Sequence, residues 1–141
     1  MINYCIREGG LTLGLLEKLQ DAILIAFGAV IGANIRFLIY KKLSQIRIKN
    51  SLITLLINNL SSLLFGLFLS NSVQISDLGY SYKLGLFFSI GLLGSLSTFS
   101  TFIYDLCELL IRTKLLAALK FFIISVTSGV LSFMIGFKLG T

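Results

Sequence analysis

An all-α membrane protein with four transmembrane helices is what this sequence predicts. Of its 141 residues, 56% are hydrophobic and 13% are charged, whereas about a quarter of a soluble domain's residues carry charge. The mean hydropathy is +0.96. Charge-free runs occupy 22–35, 50–76, 84–104 and 121–137. With its flanks, each run holds a helix of roughly 20 residues, enough to cross a bilayer core. The runs do not alternate polar and apolar residues, as barrel strands would. Backbone polar groups in lipid must be satisfied within the segment, which leaves helices. The expected spans are about 21–40, 51–71, 84–110 and 115–139, and 21–141 forms one four-helix unit.

Residues 1–20, MINYCIREGGLTLGLLEKLQ, form a lead that is either a surface helix or a mobile tail. Leu13, Leu16 and Glu17 fit a surface helix, which Gly9-Gly10 would interrupt. The first apolar run follows this lead without a small-x-small cleavage signature, so it reads as a retained span.

Span one, DAILIAFGAVIGANIRFLIY, carries Gly28 and Gly32 four apart. A G-x-x-x-G face allows close approach of another helix. Arg36 near its end can extend its charged head toward the interface.

Span two, SLITLLINNLSSLLFGLFLS, places Asn58, Asn59, Ser61 and Ser62 near its middle. Such residues are costly in lipid unless they face protein or water. Asn58, Ser61 and Ser62 share a face, and Asn59 points about 100° away. Inter-helix hydrogen bonding and a polar pathway lining both remain open.

Span three contains GSLSTFSTF at 94–102. Phe99 and Phe102 are one turn apart on nearly one face. Gly94 and the hydroxyls of Ser95, Ser97 and Thr98 would let the helix break at 94–98, near its middle, without stranding backbone groups, provided the break is buried in protein. Half-helix ends there would offer carbonyls to a cation and amides to an anion. A continuous helix with hydroxyls bonded to its own carbonyls is the other reading. In span four, Ser125, Ser128, Gly129 and Ser132 form a stripe that is either a packing seam or a polar track.

The function classes narrow accordingly. The chain has no His and no Pro, and Cys5 and Cys107 are unpatterned, so histidine chemistry and His metal sites are excluded. No carboxylate lies mid-span, against a proton-coupled carrier, and no nucleophile–base pair suggests an enzyme. The basic residues form short juxtamembrane clusters, which suit lipid headgroups rather than nucleic acid. Arg7, Lys18, Lys83 and Lys138 lie on one side of a four-span chain, and the other eight basic residues lie on the other. That bias favours the second side facing the cytoplasm. Passive passage of a small anion fits the remaining equipment of amides, hydroxyls and electropositive ring edges.

Three motifs together carry a resemblance. They are G-A-V-I-G-A-N-I-R-F from Gly28 to Phe37, T-L-L-I-N-N-L-S from Thr54 to Ser61, and G-L-L-G-S-L-S-T-F-S-T-F from Gly91 to Phe102. In this order on four spans, the chain resembles the Fluc (CrcB) family of fluoride ion channels over about 21–139. The resemblance implies a fluoride-selective channel of the plasma (cell inner) membrane, passively exporting fluoride and lowering its toxicity. It implies an antiparallel dimer, homomeric or paired with a homologous subunit, with pores along the interface.

By the same resemblance Asn58, Phe99, Phe102, Thr98, Ser100, Thr101 and Ser125 would line the fluoride pathway. Arg36 would stand at the vestibule mouth. The backbone carbonyls of Gly94 and Ser97 would hold a structural sodium ion at the dimer centre, and Asp105 would match the acid after the T-F motif. Phe121 stands where the family often has a tyrosine. Ala29, Ser61, Ser95 and Ser97 also depart from the family pattern. The alternatives are a small four-helix multidrug-type exporter, disfavoured by the acid-free 22–35 stretch, and a structural partner subunit active only beside another chain.

Overall fold

A computed structural model describes residues 2–46, 49–74 and 80–141, and describes the side chains of 14–46, 49–71 and 82–141. Among the described residues the regular elements are all helical, with no strand. The elements are α1 (Ile2–Ser44), α2 (Asn50–Gln74), α3 (Tyr80–Gly85), a π-helix (Leu86–Leu93), α4 (Gly94–Leu96), α5 (Phe99–Ile111) and α6 (Leu115–Gly140). Four segments are long and apolar enough to cross a membrane: Gly14–Ser44, Asn50–Asn71, Tyr82–Ile111 and Leu115–Gly140.

α1 runs for 43 residues. It continues straight through Gly9-Gly10, so the expected interruption of the lead does not occur. Glycine costs a helix only about 1 kcal/mol, and the chain holds no proline, the stronger breaker. The side chains of Cys5, Arg7 and Leu13 lie outside the described residues.

The third span is where local geometry departs from a plain α-helix. From Leu86 to Leu93 it is π-helical, a wider winding that usually appears as single turns near functional sites. The sequence carries no signal for it that we recognise. Gly94–Leu96 is α-helical, so the non-helical interval is narrower than the 94–98 stretch. It consists of Ser97 (φ −69°, ψ 154°) and Thr98 (φ −140°, ψ 114°), both extended.

Helix packing rests on missing side chains. A Cβ at Gly28 would overlap the Phe87 carbonyl oxygen, and one at Gly32 would overlap the Leu92 carbonyl oxygen and the Ser95 hydroxyl. Gly91 meets the Gly28 backbone from the other side. This seam draws α1 and the π-helix into backbone contact. Across the bundle, a Cβ at Gly136 of α6 would overlap the Leu63 carbonyl of α2. Phe65 and Phe133 close that second seam with ring centroids 5.8 Å apart.

The core between these seams is small: Ile53, Ile57, Leu93, Leu96, Phe102 and Ala118. Large apolar side chains on every span stay exposed, such as Phe27, Leu56, Ile90 and Leu131. Lipid serves such a surface as solvent.

A tight turn joins α5 to α6. Thr113 N–H donates to the Leu110 carbonyl (2.9 Å) and Lys114 N–H to the Leu109 carbonyl (3.0 Å). This is the Schellman pattern, which places a left-handed residue after the helix. Thr113 takes that place with φ 57°, where a β-branched residue is strained.

Candidate functional site

The site is built around Ser97 and Thr98. In an uninterrupted helix the Thr98 N–H would bond to the Gly94 carbonyl. Here it donates to Asn58 Oδ1 at 2.8 Å, and Asn58 Nδ2 donates back to the Thr98 carbonyl at 3.2 Å. One carboxamide thus pins both backbone groups of an extended residue that is only 8% exposed. Leaving such groups unpaired would cost about 1–3 kcal/mol each.

The same residue starts α5. Thr98 Oγ1 accepts from Thr101 N–H at 3.5 Å and from Thr101 Oγ1 at 3.0 Å, and lies 3.3 Å from Ser100 Oγ. Thr98 is therefore the N-cap of a 13-residue helix. Its threonine satisfies one of the first-turn amides. The other amides of that turn carry the positive end of the α5 dipole.

The interval also frees carbonyl oxygens. Gly94 O loses its helical partner and accepts the Ser97 hydroxyl at 3.3 Å. Ser97 O lies 3.5 Å from an Arg36 guanidinium nitrogen. Just before the interval, the Leu93 carbonyl accepts both Ser97 N–H (3.2 Å) and the Ser61 hydroxyl (2.9 Å). Ser61 is buried in this bond and lines neither of the two grooves beside Thr98.

Two grooves flank Thr98. The larger, of about 330 Å³, is lined by Asn58, Asn59, Ser97, Thr98, Phe99, Phe102 and Ser125, with Leu55, Ser62, Phe122 and Val126 completing it. The smaller, of about 260 Å³, is lined by Arg36, Tyr40, Thr54, Thr98, Ser100 and Thr101, with Ala33, Phe37 and Ile57. The expected pathway residues therefore fall on two sides of one residue. Asn58, Phe99, Phe102 and Ser125 are together; Arg36, Ser100 and Thr101 are together; Thr98 belongs to both. Gly94 lines neither groove.

The two phenylalanines differ. Phe102 is 8% exposed and stacks on Phe121 at 5.5 Å, with Phe122 at 6.2 Å. Phe99 lies 6.0 Å from Phe102 and is 75% exposed. Phe121 is thus a stacking partner at the position where a tyrosine would bring a hydroxyl.

Asp105, on the buried side of α5, is 8% exposed. Its Oδ2 has no partner among the described residues. Asn59 and Ser62, on the larger groove, were not among the expected pathway residues. The signal was present, because both are polar at mid-span, but helical periodicity alone set Asn59 off the chosen face.

Comparison with known proteins places the chain. The family model described as CrcB-like protein, Camphor Resistance (CrcB), matches residues 23–137. The fluoride-specific ion channel FluC 2 of Prochlorococcus marinus (strain NATL2A) is 48% identical over 123 residues, covering 87% of this chain and 99% of that protein. FluC 1 of Parasynechococcus marenigrum (strain WH8102) is 34% identical over 120 residues, covering 85% and 93%. FluC of Ignicoccus hospitalis is 34% identical over 118 residues, covering 84% and 93%. The chain belongs to the CrcB family.

Proposed function

From that membership and the chemistry around Thr98, we propose the following function. The chain is a fluoride-selective ion channel, a multi-pass protein of the plasma membrane that lets fluoride leave the cell passively. The observation that carries this reading is the larger groove. It combines amide and hydroxyl donors with the rings of Phe99 and Phe102 at mid-span, beside the first turn of α5.

Fluoride is small and strongly hydrated, so a pore must replace its water with donors along the path. Hydroxyls of Thr98 and Ser125, the second N–H of Asn58 Nδ2 and the positive edges of the Phe rings supply such donors. The α5 dipole favours an anion at the same level. Ser100, beside Thr101, continues the donors into the smaller groove, where Arg36 adds a positive charge near its mouth. Protonated hydrogen fluoride crosses membranes as a neutral molecule and ionises in a less acidic cytoplasm. The channel gives the trapped anion a way out.

The third span is read as a helix broken at Ser97–Thr98, and the broken ends meet a second copy in an antiparallel dimer. Two features support this. Phe99 is largely exposed beside a polar groove, and the carbonyls of Gly94 and Ser97 are released from helical bonding. Those two oxygens fit a hard monovalent cation, and a structural sodium ion held there would offset anion repulsion and tie the two copies together. The Arg36 contact to Ser97 O is long, so the guanidinium can yield that oxygen.

The test uses the purified chain in liposomes loaded with potassium fluoride, with a potassium ionophore to dissipate the potential. Fluoride should appear outside at rates well above protein-free vesicles, and chloride in matched vesicles should stay inside. Fluoride release no faster than from empty liposomes would overturn the reading.

A further inference from the structure

The two adjacent asparagines of α2 are used in different ways. Asn58 commits its carbonyl and one N–H to the Thr98 backbone. Asn59 commits only its carbonyl: Ser128 Oγ of α6 lies 3.1 Å from Asn59 Oδ1 and shares its one proton between that oxygen and the Ser125 carbonyl at 3.2 Å. Nothing among the described residues accepts from Asn59 Nδ2, so both of its N–H groups are unspent. Asn59 nevertheless lines the same groove as Phe99, Phe102 and Ser125.

That amide belongs to a residue on the groove wall. Gly129 of α6 lies beside it: a Cβ there would sit in ordinary contact, 3.9 Å from Asn59 Oδ1 and 3.8 Å from the Ser62 hydroxyl. Ser62 adds a further hydroxyl on the same wall. A carboxamide at mid-span is costly in lipid. A single hydrogen bond from Ser128 satisfies its acceptor and leaves its stronger need, two donors, unmet.

We infer that Asn59, oriented by Ser128, is a second amide donor on the anion route, extending the route along the α2–α6 cleft past Phe102. The inference rests on the fluoride-channel reading and deepens it. Asn58 then both positions the Thr98 interval and keeps one N–H for the route, and Asn59 presents the less encumbered donor. An anion leaving the Phe99–Phe102 pair would meet Asn59 Nδ2 and the Ser62 and Ser125 hydroxyls next. The Ser128 bond keeps the amide nitrogen, and not the carbonyl oxygen, toward the anion.

A purely structural role for Asn59, as half of an inter-helix hydrogen bond, makes different predictions. Asn59→Asp retains an acceptor for Ser128 but removes the donors and adds a negative charge. Asn59→Ala removes both functions, and Ser128→Ala removes only the orienting bond. Fluoride efflux would be measured for each in liposomes, together with elution as a single species in detergent.

With a donor role, Asn59→Asp is the most damaged, with efflux down at least about tenfold, since hydrogen bonds to charged groups are the strong ones. Asn59→Ala falls less, and Ser128→Ala least, all three eluting as the parent does. With a structural role, Asn59→Asp, which keeps the acceptor, elutes like the parent, while Asn59→Ala and Ser128→Ala fall together in efflux and elute as aggregates. That second pattern, or parental efflux from all three, overturns the inference. Absence of fluoride efflux from the parent chain itself overturns instead the channel reading on which it rests.

Discussion

The two halves of the third span are made of similar residues and do opposite things. From Leu86 to Leu96 the chain is wedged against α1 along a seam in which Gly28, Gly32 and Gly91 leave no space for a Cβ. From Phe99 to Ile111 it is held by the Asn58 carboxamide, the Thr98 N-cap and the packing of Phe102 on Phe121 and Phe122, and Phe99, Tyr104 and Ile111 stand exposed. The first half is an anchor and the second a presentation surface. Ser97 and Thr98 divide them. The difference shows how a membrane chain can keep a polar interval in place: it clamps one side by backbone contact and leaves the chemistry to the other.

The most severe way to break this contrast is to pry the anchor away. Gly32→Val would drive a side chain into the Leu92 carbonyl, a backbone group that cannot swing aside. Overpacking typically costs about 1–3 kcal/mol, with more expected against backbone. The expected outcome is loss of the single species on gel filtration in detergent; a normally eluting variant would show that the seam is looser than described.

Cutting the clamp comes next. Asn58→Ala leaves Thr98 N–H and C=O unpaired, a loss of about 1–3 kcal/mol for each group. Thermal denaturation in detergent should shift downward, and fluoride efflux from liposomes should fall roughly tenfold or more. Unchanged efflux would mean that the interval does not need Asn58. Asn58→Asp, which also adds a like charge, should block the anion flow more fully than Asn58→Ala.

The ring pair sharpens the comparison within the second half. Phe102→Ile removes a stacked, buried ring, so thermal stability should drop by about 0.5–1.5 kcal/mol in addition to any loss of efflux. Phe99→Ile changes a ring that is 75% exposed, so stability should move by less than about 0.5 kcal/mol. Efflux should fall in both variants. Parental efflux in either would remove that ring from the route.

The smallest effect lies at the far end of α5. Thr113→Gly relieves a left-handed β-branched residue, and should raise stability by about 1 kcal/mol with efflux unchanged. A lower denaturation temperature would show that the turn is held by contacts other than its backbone pattern.

Much of this was legible in the residues. Charge-free runs pointed to four membrane-length helices, because charge is expensive in lipid wherever it stands; three agree within a few residues, whereas the first begins well before residue 21. Gly28 and Gly32 pointed to a close helix contact, and the 94–102 stretch pointed to the region where Ser97 and Thr98 are extended. Other features were not legible. The π-helix has no residue signature, and Gly9-Gly10 looked like a break in what is one long helix. Ser61 and Asn58 share a face by periodicity, yet Ser61 is spent on the Leu93 carbonyl and Asn58 on Thr98.

Composition and spacing alone determined that this chain lives in a bilayer, how many times it crosses, and which segments carry polar groups there. Those properties depend on each segment's own residues meeting lipid. Only the tertiary structure decided which polar group meets which. Asn58 finds Thr98 forty residues away and Asn59 finds Ser128 sixty-nine away. Helical periodicity gives the direction in which a side chain leaves its own helix. It does not say which helix is standing there or which of that helix's groups is still unpaired.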